Sequence, residues 1–283
     1  MKGGREDFEM AGQLRLLDRD RFLTALFAAP QPRVELLALY SFNLEVARIP
    51  ELISEPMIGE IRLAWWREAM ADIYEGKPGR HQAMQVLATA VERGHLPRDL
   101  FDRLIDARFH DFDEAPPATL DALLAYAANT SSTLAELALR LLTGEAGDEA
   151  LEAARQMGIA YALAGILRAI PYHAGRGRLL LPADLLLLHN VDPHDVLHGR
   201  ATPGLRDITR LLHDEAVRSL KAARNLRRYV PRTGAPALLP ATLASGYLKA
   251  LAQAGFDPFA ANYDRGAFAR SCALMIRGLS GRY

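Results

Sequence analysis

Residues 165–182 read GILRAIPYHAGRGRLLLP. The residues leading into this stretch are apolar on every side of a helical projection. They predict a buried helix over 147–169 that stops ahead of Pro171. Beyond the proline, a predicted loop carries Tyr172, His173, Arg176 and Arg178, with Arg168 one turn before the break. Between Glu152 and Asp184 the chain has no carboxylate, so none of these cations has an acidic partner close in sequence. What negative group they face depends on what the fold brings to them.

Outward from this stretch, apolar residues recur at helical rather than alternating spacing along almost the whole chain. Ala, Leu and Arg, all good helix formers, dominate it. An all-α protein is expected. Prolines and glycines divide it into predicted helices over 11–28, 33–48, 56–75, 80–94, 98–112, 120–143, 147–169, 205–229, 237–254 and 264–279. Ser54 ahead of Glu55 and Pro56, Thr119 ahead of Leu120, and Asp192 ahead of Pro193 supply helix-start chemistry. No linker longer than a few residues and no internal repeat interrupts the pattern, which makes 1–283 a single domain. The helix over 147–169 mixes Met157, Ile159, Leu163, Ile166 and Leu167 with Gly158, Gly165 and several alanines. Small residues on such a helix either admit a neighbour closely or form the wall of a cavity, and close packing is the commoner case.

Half of the 283 residues are hydrophobic, enough for a sizeable core. Lys and Arg number 34 and so do Asp and Glu, so bulk charge selects neither nucleic acid nor an anionic membrane as a general partner. The single cysteine, Cys272, excludes an internal disulfide framework and lacks the spaced partners of a zinc or iron-sulfur site. The segment MKGGREDFEM has no apolar core, and LLALYSF and LLLPADLLLL are too short or too broken to span a bilayer. The expected location is cytoplasmic, with the periphery of the inner membrane as the alternative.

Four segments, RFLTALFAAPQPRVELLALYSFN from Arg21, EPMIGEIRLAWWREAMADIYEGKPGRH from Glu55, LFDRLIDARFHDFD from Leu100 and GILRAIPYHAGRGRLLLP, follow one another in a telling order. In that order and spacing the chain resembles the squalene and phytoene synthase family, head-to-head prenyl transferases of the isoprenoid synthase fold. The likeness covers most of 21–182, and the last hundred residues match only in helical character. It implies one helical bundle around a central cavity. In that family two acidic motifs face each other across the cavity and hold magnesium on the substrate diphosphate, because a hard cation takes carboxylate oxygens and neutralises the leaving group.

By this resemblance the first motif falls on Ala47, Arg48, Ile49, Pro50 and Glu51, where Glu51 alone is acidic and Pro50 ends the helix. Glu55 precedes Pro56 and is biased away from helical geometry, so it is not expected to share a face with Glu51. The second motif falls on Gly165, Ala169, Tyr172 and His173, with no acid, and a lone histidine is a poor magnesium ligand. Gly177, Arg178, Leu181 and Pro182 keep the family pattern. The segment YAANTSSTLAELAL, with Asn129, Thr130, Ser131 and Ser132, is similar to a non-synthase branch. So is the run Arg168, Ala169, Pro171, Tyr172, His173. That branch includes a mitochondrial assembly factor for respiratory complex I.

The resemblance therefore implies a catalytically degenerate binding or assembly protein without metal or cofactor. It would hold an isoprenoid, lipidic or phosphate-bearing ligand through Arg48, Glu51, Arg168, Tyr172, His173, Arg176 and Arg178, and would meet a membrane-complex partner protein but no nucleic acid. The rival expectation is an active prenyl transferase that condenses two isoprenyl diphosphates with Mg²⁺ on Glu51, Glu55 and Asp111. A second rival binds lipid surfaces through Leu185 and Leu188. Against each stands a plainer expectation. Arg168 pairs with an acid on a neighbouring helix, and His173 serves the helix end. Two stripes of the 56–75 helix, Ile58, Ile61, Trp65 and Ala69 beside Trp66, Met70 and Ile73, pack in the core. Ser131 and Ser132 have no triad partners at a recognisable spacing.

Overall fold

The structure is a computed structural model that describes residues 12–53, 55–80, 82–264 and 267–283. MKGGREDFEM and the expected cap Ser54 lie outside the described residues. Among the described residues there is helix and turn but no strand. The first half of the chain forms α1 (Arg19–Ala25), α2 (Pro30–Ala47), α3 (Ile49–Leu52), α4 (Pro56–Tyr74), α5 (Gln82–Gly94), α6 (Arg98–Ala107), α7 (Leu120–Ala127) and α8 (Thr133–Thr143). The second half forms α9 (Asp148–Ala174), α10 (Ala183–Leu188), α11 (Pro193–Leu197), α12 (Pro203–Asn225), α13 (Ala235–Leu238), α14 (Pro240–Gln253) and α15 (Ala267–Ser280).

The starts follow the side-chain chemistry. Thr119 accepts from the Ala122 amide at 3.1 Å and Asp192 from that of His194 at 2.9 Å, as their positions predict. Prolines occupy the first turns of α2, α3, α4, α11, α12 and α14, where an absent N–H costs nothing. Pro50 acts as expected: α2 ends before Arg48, and α3 restarts with Pro50 in its first turn. The expected 120–143 helix is divided by a π segment over Ala128–Ser132, and 98–112 passes into a 3₁₀ turn over Arg108–Phe112.

Helix α9, 27 residues long, is the axis of the molecule. Buried positions fall all round it, as its unbroken apolar projection requires. It packs along α12 and α14 on one side and on α8 and the π segment on the other, while α2 lies on α5 and α8, and α4 on α6. Its two glycines play different parts. A Cβ on Gly158 would collide with the backbone of Ser132, so this glycine allows the closest crossing in the centre, whereas Gly165 meets nothing within 4 Å.

Three expectations are corrected. Helix α9 does not stop at 169 but continues through Pro171 to Ala174. The proline falls in the last turn, where losing one intrahelical bond is tolerated. The amide of Gly175 donates to the Pro171 carbonyl at 3.1 Å, those of Arg176 and Arg178 donate to the His173 carbonyl at 2.9 Å, and Gly177 turns the chain at φ +70°. Tyr172 and His173 therefore ride on the helix. On α4, the stripe Trp66, Met70, Ile73 faces the core, with Trp66 edge-on to Phe42 at 5.2 Å, but Ile58, Ile61 and Trp65 are 46%, 62% and 52% exposed. One side of a helix lying on a bundle fills the core, and the adjacent stripe is left outside. On α10, Leu185 is buried and Leu188 exposed, so the pair cannot act as one lipid-facing surface.

Candidate functional site at the end of the central helix

An open cavity of about 930 Å³ lies at the C-terminal end of α9. Arg48, Glu51, Arg168, Tyr172, His173, Arg176 and Arg178 all line it. The long-range packing brings in groups that the local sequence did not: Asp18 and Asp20 at the start of α1, Asp111 from the 3₁₀ turn, and Tyr126 and Tyr247 from two other helices, beside Tyr161 of α9 itself. Seven arginines line the cavity against four carboxylates, so its walls are net positive.

Each of the four carboxylates is already held. Asp18 takes Arg21 at 2.6 Å and also caps α1 through the Arg21 amide. Asp20 takes Arg168 at 3.6 Å and accepts from the hydroxyls of Tyr161 at 3.2 Å and Tyr247 at 2.8 Å. Asp111 takes Arg108 at 3.3 Å and the Tyr126 hydroxyl at 2.6 Å. Glu51 takes Arg48 at 3.5 Å and the Tyr172 hydroxyl at 3.2 Å. Burial, then the Asp20 carboxylate, push Tyr247 up to about 12, so it stays a donor. The plain expectation for Arg168, an acid on a neighbouring helix, is met by Asp20.

Arg176 and Arg178 differ. Arg176 lies over the Tyr172 ring at 3.7 Å, and Arg178 donates to the main-chain carbonyl of Asp111 at 2.6 Å. Neither has a carboxylate among the described residues, and both guanidiniums are positioned by neutral groups. His173 beside them is driven below its ordinary pKa by burial and by Arg178, with Arg176 adding to this and Glu51 opposing it, so the ring is neutral at pH 7. The question posed by the arginine-rich stretch thus has a divided answer: Arg168 faces Asp20, and the two beyond the helix face only the cavity.

A magnesium-diphosphate cluster takes carboxylates free to turn toward the metal. Here Glu51 is bound by Arg48 and Tyr172, and Glu55 is in extended backbone and outside the cavity lining. Asp111 is locked by Arg108 and Tyr126. Among the described residues no three Asp, Glu, His or Cys side chains are grouped to hold a metal ion. The residues present do not fit that cluster.

The sequence profile of squalene/phytoene synthase matches residues 14–271. The chain belongs to the squalene/phytoene synthase family. Two relatives share the name "NADH dehydrogenase (ubiquinone) complex I, assembly factor 6". The protein of Bos taurus is 33% identical over 95% of this chain and 81% of its own. That of Homo sapiens is 32% identical over 87% and 74%. A crystal structure of a dehydrosqualene synthase with ligand superposes with TM-score 0.85 at 17% identity over 99% of this chain and 97% of its own, a likeness of fold.

Family membership accounts for the scaffold, but several cavity residues escaped sequence reasoning. Asp18, Asp20 and Arg21 sit together in DRDR, which runs into the first residue of the first family segment, and the i, i+3 spacing of Asp18 and Arg21 was a readable signal. Tyr247 lies in the last hundred residues, where only helical character was recognised. The hydroxyl-rich π segment was singled out by resemblance, and its structural part is plain: Thr130 bonds the Tyr126 carbonyl at 2.7 Å and Ser132 that of Arg155 at 2.6 Å. These bonds fix the start of the segment, where Tyr126 reaches the cavity.

Proposed function

We propose that this chain is a catalytically degenerate member of its family, a binding and assembly protein that acts on a respiratory membrane complex and holds a phosphate-bearing, isoprenoid-like ligand without magnesium. The assembly role rests on the names of the relatives that match over most of its length. The ligand reading rests on one observation: every carboxylate in the cavity has an arginine, and of the three arginines left over two, Arg176 and Arg178, are held in place by neutral groups. Guanidiniums bind phosphate oxygens in pairs and need no metal. The same charge balance disfavours turnover, since ionising a carbon-oxygen bond takes electrostatic stabilisation of the departing diphosphate beyond that of the bound ground state.

Calorimetry with pyrophosphate and with farnesyl diphosphate tests this. Binding is expected in the presence of a chelator, not strengthened by added Mg²⁺, and weakened about tenfold by R176A or R178A. Binding that requires Mg²⁺, or multiple turnovers of farnesyl or geranylgeranyl diphosphate, overturns it in favour of a prenyl transferase. Purification of the tagged protein from its own cells is expected to bring down subunits of the respiratory complex.

A further inference from the structure

An uncovered apolar surface lies away from the cavity walls, on α15. Phe268, Met275, Ile276 and Leu279 are 83%, 58%, 69% and 79% exposed. At 3.6 residues per turn they fall in a sector of about 100°. The opposite side of the helix is the packed one. Leu274 is buried, and a Cβ on Gly278 would collide with the Phe27 ring just beyond α1. Tyr247, which bonds Asp20 on α1, lies under Arg270 of α15 at 5.0 Å. These contacts set α1 beside α15, and the residues just ahead of α1, Leu16 and Leu17, are exposed on the rim of the cavity.

An arginine cluster surrounds the C-terminal end of the same helix. Arg277 on α15 stands near Arg224 on α12, whose pKa is lowered by burial and then by Arg277. Arg224 donates to the Ser245 hydroxyl at 2.6 Å, yet its Nε is buried without a hydrogen-bond partner. Arg232 lies against Gly281, Arg227 acts on Tyr283, and Arg228 and Arg282 are exposed. Among the described residues none of these six arginines is ion-paired. An apolar helical face with uncompensated cations at its end is the pattern of a helix lying in a lipid interface. No helix among the described residues is long and apolar enough to cross a membrane.

We propose that α15, with the arginines at its C-terminal end, is a docking face for an anionic lipid bilayer, which sets the cavity rim at Leu16 and Leu17 beside the membrane surface. The apolar residues enter the headgroup boundary and the arginines meet lipid phosphates. A second copy of the chain is the poorer occupant, because it would offer the arginines only the same positive charge, whereas an anionic bilayer complements them. The docking face stands whether or not the cavity holds a ligand.

The test uses the full chain and vesicles of phosphatidylcholine alone or with phosphatidylglycerol added. Co-sedimentation is expected only with the anionic vesicles and is expected to fall as salt is raised. The variant M275S/I276S/L279S and the variant R228E/R282E are each expected to weaken it by about tenfold or more. All five residues are exposed, and unchanged circular dichroism shows that the variants fold. Cys272, the single cysteine, lies within the same sector of α15, so an environment-sensitive dye attached there reports entry of the face into lipid. A blue shift on adding anionic vesicles is expected. No sedimentation and no shift, or binding that neither variant weakens, overturns the proposal. So does a lipid-free dimer that M275S/I276S/L279S converts to monomer, which would assign the face to a second copy.

Discussion

The two ends of α9 use the same residue types to opposite effect. Toward its N-terminus, Gly158 is closed over by Ser132, and Arg155 shares the buried Glu136 carboxylate with Arg140 at 3.1 and 2.9 Å. Toward its C-terminus, Gly165 faces open space, and Arg176 and Arg178 have no carboxylate among the described residues. A glycine that is filled and an arginine that is neutralised belong to the fold. A glycine left open beside arginines left unpaired costs stability that packing elsewhere offsets, and such sites are where ligands are taken.

The most severe way to break this contrast is at the glycines. Gly158→Val should destabilise by about 3 kcal/mol or prevent folding, because Ser132 backbone cannot retreat from the crossing. Gly165→Ala should instead raise stability by up to about 1 kcal/mol through helix propensity. Urea midpoints measure both, and equal costs would erase the distinction between the ends.

The arginines offer the next test. Glu136→Ala removes the carboxylate shared by Arg140 and Arg155. Removing one partner of a buried pair costs several kcal/mol, but Arg155 is 42% exposed, so about 2 kcal/mol is expected. Arg176→Ala and Arg178→Ala should change stability by less than about 0.5 kcal/mol while each weakens the pyrophosphate binding described above about tenfold. A large stability loss at Arg178 would mean that its bond to the Asp111 carbonyl is what holds the 3₁₀ turn.

What the sequence made legible follows from the range of each interaction. Helical periodicity and proline placement are local, so the all-α architecture and most boundaries could be read directly. The helix through Pro171 could not, because the bonds that rescue it come from residues folding back beyond it. The charge of the site was half legible. The absence of acids between Glu152 and Asp184 is a fact of order along the chain, and it holds for Arg176 and Arg178. For Arg168 it left only the general expectation of an acid on a neighbouring helix, since Asp20 lies far off in sequence and arrives by packing. Trp65 and its stripe on α4 show the same limit: two adjacent apolar stripes look alike until the neighbours are placed, and only one is covered.

The smallest expected effect is the most specific to the open end. His173 faces Arg178, Arg176, Glu51 and Asp111, and burial with Arg178 holds its pKa below 6.5 in the free protein. A lowered pKa in the folded state adds stability above the unfolded value, and this is lost as pH falls through the folded value. A bound pyrophosphate would reverse the sign of the local field and favour the imidazolium, so the pKa should rise on binding. Linkage then requires affinity to increase as pH is lowered through that range. Proton NMR of the His173 ring, titrated with and without pyrophosphate, measures the shift. An unchanged pKa would place the anion away from Arg176 and Arg178 and leave the open end without its assigned ligand.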